Sequence, residues 1–190
     1  MENKTDITPS QTVGPFFAYG ITPEQYGYGY TQIATANLVA SKNIQGERIR
    51  IVGRVVDGAG NAIPDAVIEI WQADSLGSYS NPAFLGFGRV GTGTSVDNSF
   101  AFETIKPGRI GNEAPHINVI VLMRGLLTHA FTRIYFSDED VANQNDPLLV
   151  TVPVARKHTL IAQRVPQSHR VEYQYDIFMQ GERETVFFEF

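Results

Sequence analysis

The chain has 190 residues, 43% of them hydrophobic and 18% charged, with a formal net charge of -5. That length fits one domain with a sizeable core, and the acidic balance offers no support for nucleic-acid binding. The absence of cysteine excludes disulfides, thiolate metal sites and cysteine nucleophiles, and it is compatible with a reducing compartment.

The first residues, Met1 to Asp6, carry no apolar stretch of the kind a secretory signal needs. The apolar run Val119 to Met123 is far short of the ~18 residues of a membrane helix. The expectation is therefore a cytoplasmic protein with no membrane partner. Glycine (17) and proline (10) punctuate short apolar segments, which argues for an all-β chain. The predicted architecture is a β-sandwich core with an N-terminal arm, long loops and one or two short helices. Residues 1–47 read as the arm, 48–136 as core strands, and 137–190 as a short helix and closing strands, in one domain spanning 1–190.

Within the arm, Thr12-Val13-Gly14-Pro15 is a turn followed by Phe16 and Phe17. Adjacent aromatics are unusual in a disordered tail, so the segment is expected to dock. Tyr26-Gly-Tyr-Gly-Tyr30 reads as an aromatic loop, packed on the surface or forming an interface patch. From Arg48 the pattern alternates: Ile49 and Ile51 face one way, Arg48 and Arg50 the other. A turn at Asp57 to Asn61 leads to Val67-Ile-Glu-Ile-Trp-Gln72, and the order strand, turn, strand reads as antiparallel pairing of the two. Trp71, the one tryptophan, reads as a core anchor, and the turn after it delivers Tyr79 to the rim of the strand layer. Residues 80–94 read as a loose glycine-rich loop, and 93–105 as a hairpin turning at Asp97 to Ser99.

The strand His116 to Met123 puts His116 and Asn118 on one face. Another strand spans Thr128 to Phe136 and includes Arg133. Ser137 is read as the cap of a short helix that Asn145-Asp146-Pro147 ends, and a second short helix or turn includes Ala155 to His158. Val171 to Ile177 alternates as a half-solvated strand. His129, His158 and His169 are scattered and read as structural or surface residues.

Ile51-Val-Gly-Arg-Val-Val-Asp57, Pro64 to Asp74, Gly77-Ser-Tyr79, Phe102-Glu-Thr-Ile-Lys-Pro-Gly108 and Pro115-His-Ile117 together resemble the intradiol ring-cleavage dioxygenases. The resemblance covers about residues 8–190. It implies a β-sandwich fold and a family whose active members hold a non-haem Fe(III) with two tyrosines and two histidines. Ferric iron is a hard cation that phenolates stabilise and imidazoles complete. Tyr79 occupies the first tyrosine position and His116 the first histidine position. Ile110 stands where the second tyrosine should follow Pro107-Gly108-Arg109, and Asn118 stands at the second histidine position. Isoleucine cannot bind iron, and asparagine is a weak neutral ligand. The resemblance thus implies vestigial ligand positions at Tyr79, Ile110, His116 and Asn118, and no metal on this chain.

Within the family, that loss matches α chains that pair with an iron-bearing β chain. The resemblance implies an αβ heterodimer, assembled into a larger oligomer, that uses O2 to cleave 3,4-dihydroxybenzoate (protocatechuate) to 3-carboxy-cis,cis-muconate. The Fe(III) would sit on the β chain. This chain would wall the site, and Arg133 would hold the substrate carboxylate through a guanidinium. Thr12, Gly14 and Pro15 would line the pocket near the partner's metal. The rival readings are a catalytically dead β-sandwich binding module that acts without a β chain, and an active homo-oligomer with a ferric site built from other residues.

Overall fold

The computed structural model describes residues 9, 11–14, 16–40, 43–166 and 170–189. Nine strands follow an N-terminal segment: β1 Arg48–Val56, β2 Val67–Gln72, β3 Phe87–Gly91, β4 Ser99–Ile105, β5 His116–Leu122, β6 Ala130–Phe136, β7 Ile161–Pro166, β8 Val171–Gln174 and β9 Ile177–Phe178. The hydrogen-bonded order is β3-β2-β5-β6-β7-β8-β1-β4, with β9 added in parallel along the end of β1. Two layers result, β3-β2-β5-β6 and β7-β8-β1-β4, joined where β6 and β7 share a short parallel pair. Their inner faces meet in one core. Ile49, Ile51, Phe100 and Phe102 from one layer pack with Ile68, Ile70, Ile117 and Val119 from the other. This is the all-β sandwich expected from the short alternating segments.

Strand pairing departs from the local reading. β1 and β2 do not form a hairpin. β1 pairs antiparallel with β4 and parallel with β8, while β2 lies between β3 and β5. Alternation marks strands but not partners, and residues 57–66 carry the chain from one layer to the other. The supposedly loose loop contains β3, with two glycines in the run Phe87-Gly-Arg-Val-Gly91. At Gly88 a side chain would collide with Leu38 and crowd the Thr35 carbonyl. The residue suits a close crossing of the arm rather than a flexible loop. The predicted strand at 93–96 is turn.

Trp71 is not a core anchor; it is 55% exposed. Ile68, Ile70 and Gln72 face inward in β2, so the period of two turns Glu69 and Trp71 to the outer face.

The arm docks on its own chain. After α1 (Phe17–Ile21) and a 3-10 turn at Pro23–Tyr26, the Gln25 amide bonds the edge of β3 like another strand residue. Its Nε2 donates to the Gly91 carbonyl (2.7 Å), and its Oε1 accepts from the Gly91 N–H (2.8 Å). Further on, the Arg89 N–H bonds the Thr35 carbonyl and the Leu38 N–H bonds the Glu103 carbonyl, tying the outer strands β3 and β4 together. The aromatic residues of the arm stack on one another: Phe16 on Tyr19, Tyr19 on Tyr26 and Tyr28, and Tyr28 near Tyr30. Phe16, Tyr28 and Tyr30 stay exposed.

Two short helices, α2 (Asp140–Gln144) and α3 (Pro147–Thr151), and a 3-10 stretch at Val154–Leu160 cover the outer face beside β6. Ser137 caps no helix; its hydroxyl accepts the Arg164 N–H. The preceding helix ends at Gln144, as the Asn145-Asp146-Pro147 run implied, and Asp146 also starts the next one, because its carboxylate accepts the N–H groups of Leu148 and Leu149 with Pro147 at the first position.

Candidate functional site

Register decides which side chains meet. Trp71 lies opposite Asn118, and Asn118 opposite Arg133, so the three form a row across β2, β5 and β6 on the outer face. The next row pairs His116 with Tyr135. Two loops close on these rows. One carries Tyr79 after the turn at Gly77, and the other runs from Pro107 to Ala114. They touch at backbone level: a Cβ on Gly77 would lie 1.9 Å from the Arg109 carbonyl oxygen, and φ there is +81°. Only glycine suits that position.

The polar groups form one chain. Asn118 Nδ2 donates to the Tyr79 hydroxyl oxygen at 3.0 Å, and Asn118 Oδ1 accepts from Arg133 Nε at 3.1 Å. The arginine donor fixes which end of the amide faces it, so the NH2 must face Tyr79. Arg133 Nη1 donates to Glu113 Oε2 at 3.1 Å, and the same oxygen lies 3.4 Å from His116 Nε2. Ile110 reaches this cluster through a backbone bridge to Glu113. The four positions implied as vestigial ligands are therefore gathered around Arg133 and Glu113.

His116 is fully buried, and its pKa lies below the usual imidazole range. Burial is the main cause and the Arg133 charge the next. The ring donates its Nδ1 hydrogen to the Ala114 carbonyl at 2.8 Å, because a carbonyl can only accept, and this turns Nε2 toward Glu113. Burial pushes the Tyr79 hydroxyl above the usual phenol range, against the Asn118 bond and the Arg133 charge. Behind the cluster, Asp146 is buried and accepts from the Ala114 N–H and the Tyr135 hydroxyl as well as its helix amides.

A pocket of about 640 Å³ opens on this face, lined by Trp71, Asn118, His129, Phe131, Arg133 and Phe188 among others. Its walls are aromatic and its cation is Arg133, whose side chain is only 13% exposed. Asn118 and Glu113 each take a guanidinium N–H and Tyr135 is a third hydrogen-bond partner, which still leaves donors among the five for an incoming anion.

These donors do not fit a ferric ion. The Ile110 side chain offers no lone pair, and Asn118 offers a neutral amide already bonded on both sides. A guanidinium that cannot lose its proton stands among them. Among the described residues, no group of three or more His, Asp or Glu is placed to hold a metal ion.

Thr12 and Gly14 lie outside this pocket. The Thr12 hydroxyl accepts the Gly125 N–H at 2.8 Å, on the turn between β5 and β6, and Gly14 is exposed with open space around it. Pro15 and His169 lie outside the described residues. His158 is exposed and lines a different pocket. His129 borders the Arg133 pocket, although it reads from sequence as a structural or surface residue. Glu113 and Asp146 were missed as site residues. Asp146-Pro147 carried a readable helix-start signal. Glu113 carried only its position three residues before His116.

A family profile described as Dioxygenase matches residues 21–124. The chain is 51% identical, over 96% of each sequence, to the protocatechuate 3,4-dioxygenase alpha chain of Burkholderia cepacia. It is 29% identical to the beta chain of the enzyme from the same organism, over 80% of this chain and 72% of that one. Its fold is similar to the dioxygenase domain of a dioxygenase carbohydrate-binding protein fusion from Streptomyces sp. SirexAA-E, with a TM-score of 0.64 at 24% identity, covering 95% of this chain and 100% of that one.

Proposed function

The chain belongs to the intradiol dioxygenase family, and from that premise we propose that it is the iron-free α subunit of a protocatechuate 3,4-dioxygenase, joined to an iron-bearing β chain in a higher-order oligomer of αβ pairs. One observation carries the reading: Tyr79, His116 and Asn118 gather around Arg133 and Glu113 with Ile110 bridged alongside, and two of the four positions that the family resemblance assigns to ligands hold Ile110 and Asn118, which do not serve Fe(III). The family is iron-dependent, so the ring-opening chemistry of such an enzyme falls to the partner. The similarity to α and β chains over most of their lengths supports a pair of related subunits.

This chain's residues bind, orient and exclude water. Arg133 offers its remaining donors to the carboxylate of protocatechuate, and the aromatic walls of the pocket shed water around it. A unit charge pair at ~4 Å is worth about 4 kcal/mol at an effective dielectric constant of 20, enough to distinguish an aromatic acid from an uncharged catechol. Thr12, Gly14 and Pro15 present the arm to the partner's pocket, where glycine lets backbone approach a flat ring. Residues 1–190 act as one domain, with 1–47 as the arm.

The test is steady-state kinetics of the αβ enzyme with Arg133→Ala. The expected result is a KM for protocatechuate raised by roughly 10- to 100-fold while that for unsubstituted catechol changes little. Equal effects on both substrates would remove Arg133 from carboxylate recognition. An active enzyme containing no α chain would favour the binding-module reading.

A further inference from the structure

We infer that Arg133 is the resident cation of this chain's own site, taking the electrostatic place that a metal ion would hold among positions 79, 110, 116 and 118. The inference rests on the family reading of those positions and not on a β partner, so its failure leaves the proposed function standing.

The geometry carries it. Arg133 Nε bonds the group at the second histidine position, and Nη1 bonds the carboxylate that faces the histidine at the first. The Asn118 oxygen therefore spends its lone pair on the guanidinium. His116 Nε2 lies within 3.4 Å of the carboxylate that Arg133 has engaged. Tyr79 is reached through the Asn118 amide. Glu113 balances the arginine charge, and no second cation is needed. Guanidinium charge does not titrate away under ordinary conditions, so this cation persists at any working pH. A metal ion entering beside it would meet repulsion at short range in a partly buried setting. The missing tyrosine and histidine are thus half of the reason the site is metal-free, and Arg133 is the other half.

The consequence is specific. Restoring both ligands by Ile110→Tyr with Asn118→His leaves the chain metal-free, and metal binding returns only when Arg133→Ala is added. The experiment exposes the full-length double and triple variants to Fe(II) in air, desalts them, and measures iron per chain and the visible tyrosinate-to-Fe(III) absorption. Circular dichroism confirms folding. The triple variant is expected to retain at least ~10-fold more iron than the double variant and to gain the visible band. Equal iron in the two, or no iron in a folded triple variant, overturns the inference. A second measurement holds if the triple variant does not fold. In the otherwise native chain, Arg133→Met lowers the melting temperature, and adding Glu113→Gln restores at least about half of the loss, because it removes the stranded carboxylate. No restoration contradicts the charge-balance role.

Discussion

Asn118 shows how one residue sets the character of the site. Its amide binds a donor on one side and a hydroxyl on the other, so Tyr79 and Arg133 are held in fixed relation without a metal. The neighbouring His116 gives a pH prediction whose sign follows from burial. Its folded pKa is depressed, by burial first and Arg133 second, with the Ala114 carbonyl, Glu113 and Asp146 opposing. An unfolded imidazole titrates near ~6.5. The unfolded chain therefore binds more protons below that pH, and stability falls as pH drops from about 6.5 toward the folded value. Denaturation midpoints measured between pH 7.5 and 5 should show this loss, and His116→Gln should remove that component. An identical pH slope in both proteins would show that His116 is not held neutral by the fold. At this scale the sequence was informative where chemistry was missing: Ile110 and Asn118 stand where the family resemblance implies a tyrosine and a histidine. Glu113 was not legible, because its importance comes from facing two side chains that only the β5–β6 register brings to it.

At the scale of elements, three strands and two loops build the site, and α3 braces it. Asp146 is the joint. It caps α3, holds the Ala114 N–H of the loop entering β5, and accepts from Tyr135 on β6. Asp146→Ala strands four donors at a buried position and is expected to cost about 3–5 kcal/mol in chemical denaturation. A cost under about 1 kcal/mol would mean water replaces the carboxylate and the brace is dispensable. Strands with clean alternation, such as β1 and β5, were legible in sequence. β3 was not, since its glycines serve a tight crossing with the arm and look like loop chemistry. Trp71 was misread because hydrophobicity suggested the core, whereas strand parity, set by Ile68 and Ile70, turned it outward. The β1–β2 pairing failed for a related reason: short separation favours a hairpin only when both strands remain in one layer.

For the molecule as a whole, the arm ties the outer strands β3 and β4 together and leaves aromatics on its surface. Phe16 and Tyr30 are 70% and 72% exposed. Aromatic residues in such numbers suit an interface core better than open solvent. The pocket on the outer face and the arm's exposed ring stack are the two surfaces that the proposed function assigns to substrate and partner. Among the described residues, no helix is long and apolar enough to cross a membrane. The sandwich was readable from punctuation and alternation alone. The reading of the chain as a partner subunit came from the identities at Ile110 and Asn118, whereas the way those positions meet Glu113 and Arg133 was not readable, because only the folded sheet and its loops assemble them.

The most direct test of the account is iron content and ring cleavage for this chain alone and after co-expression with the β chain that the account proposes. The account predicts neither iron nor protocatechuate cleavage for the chain alone, and both in the complex at one iron per αβ pair. Stoichiometric iron and catechol cleavage by the chain alone would contradict it.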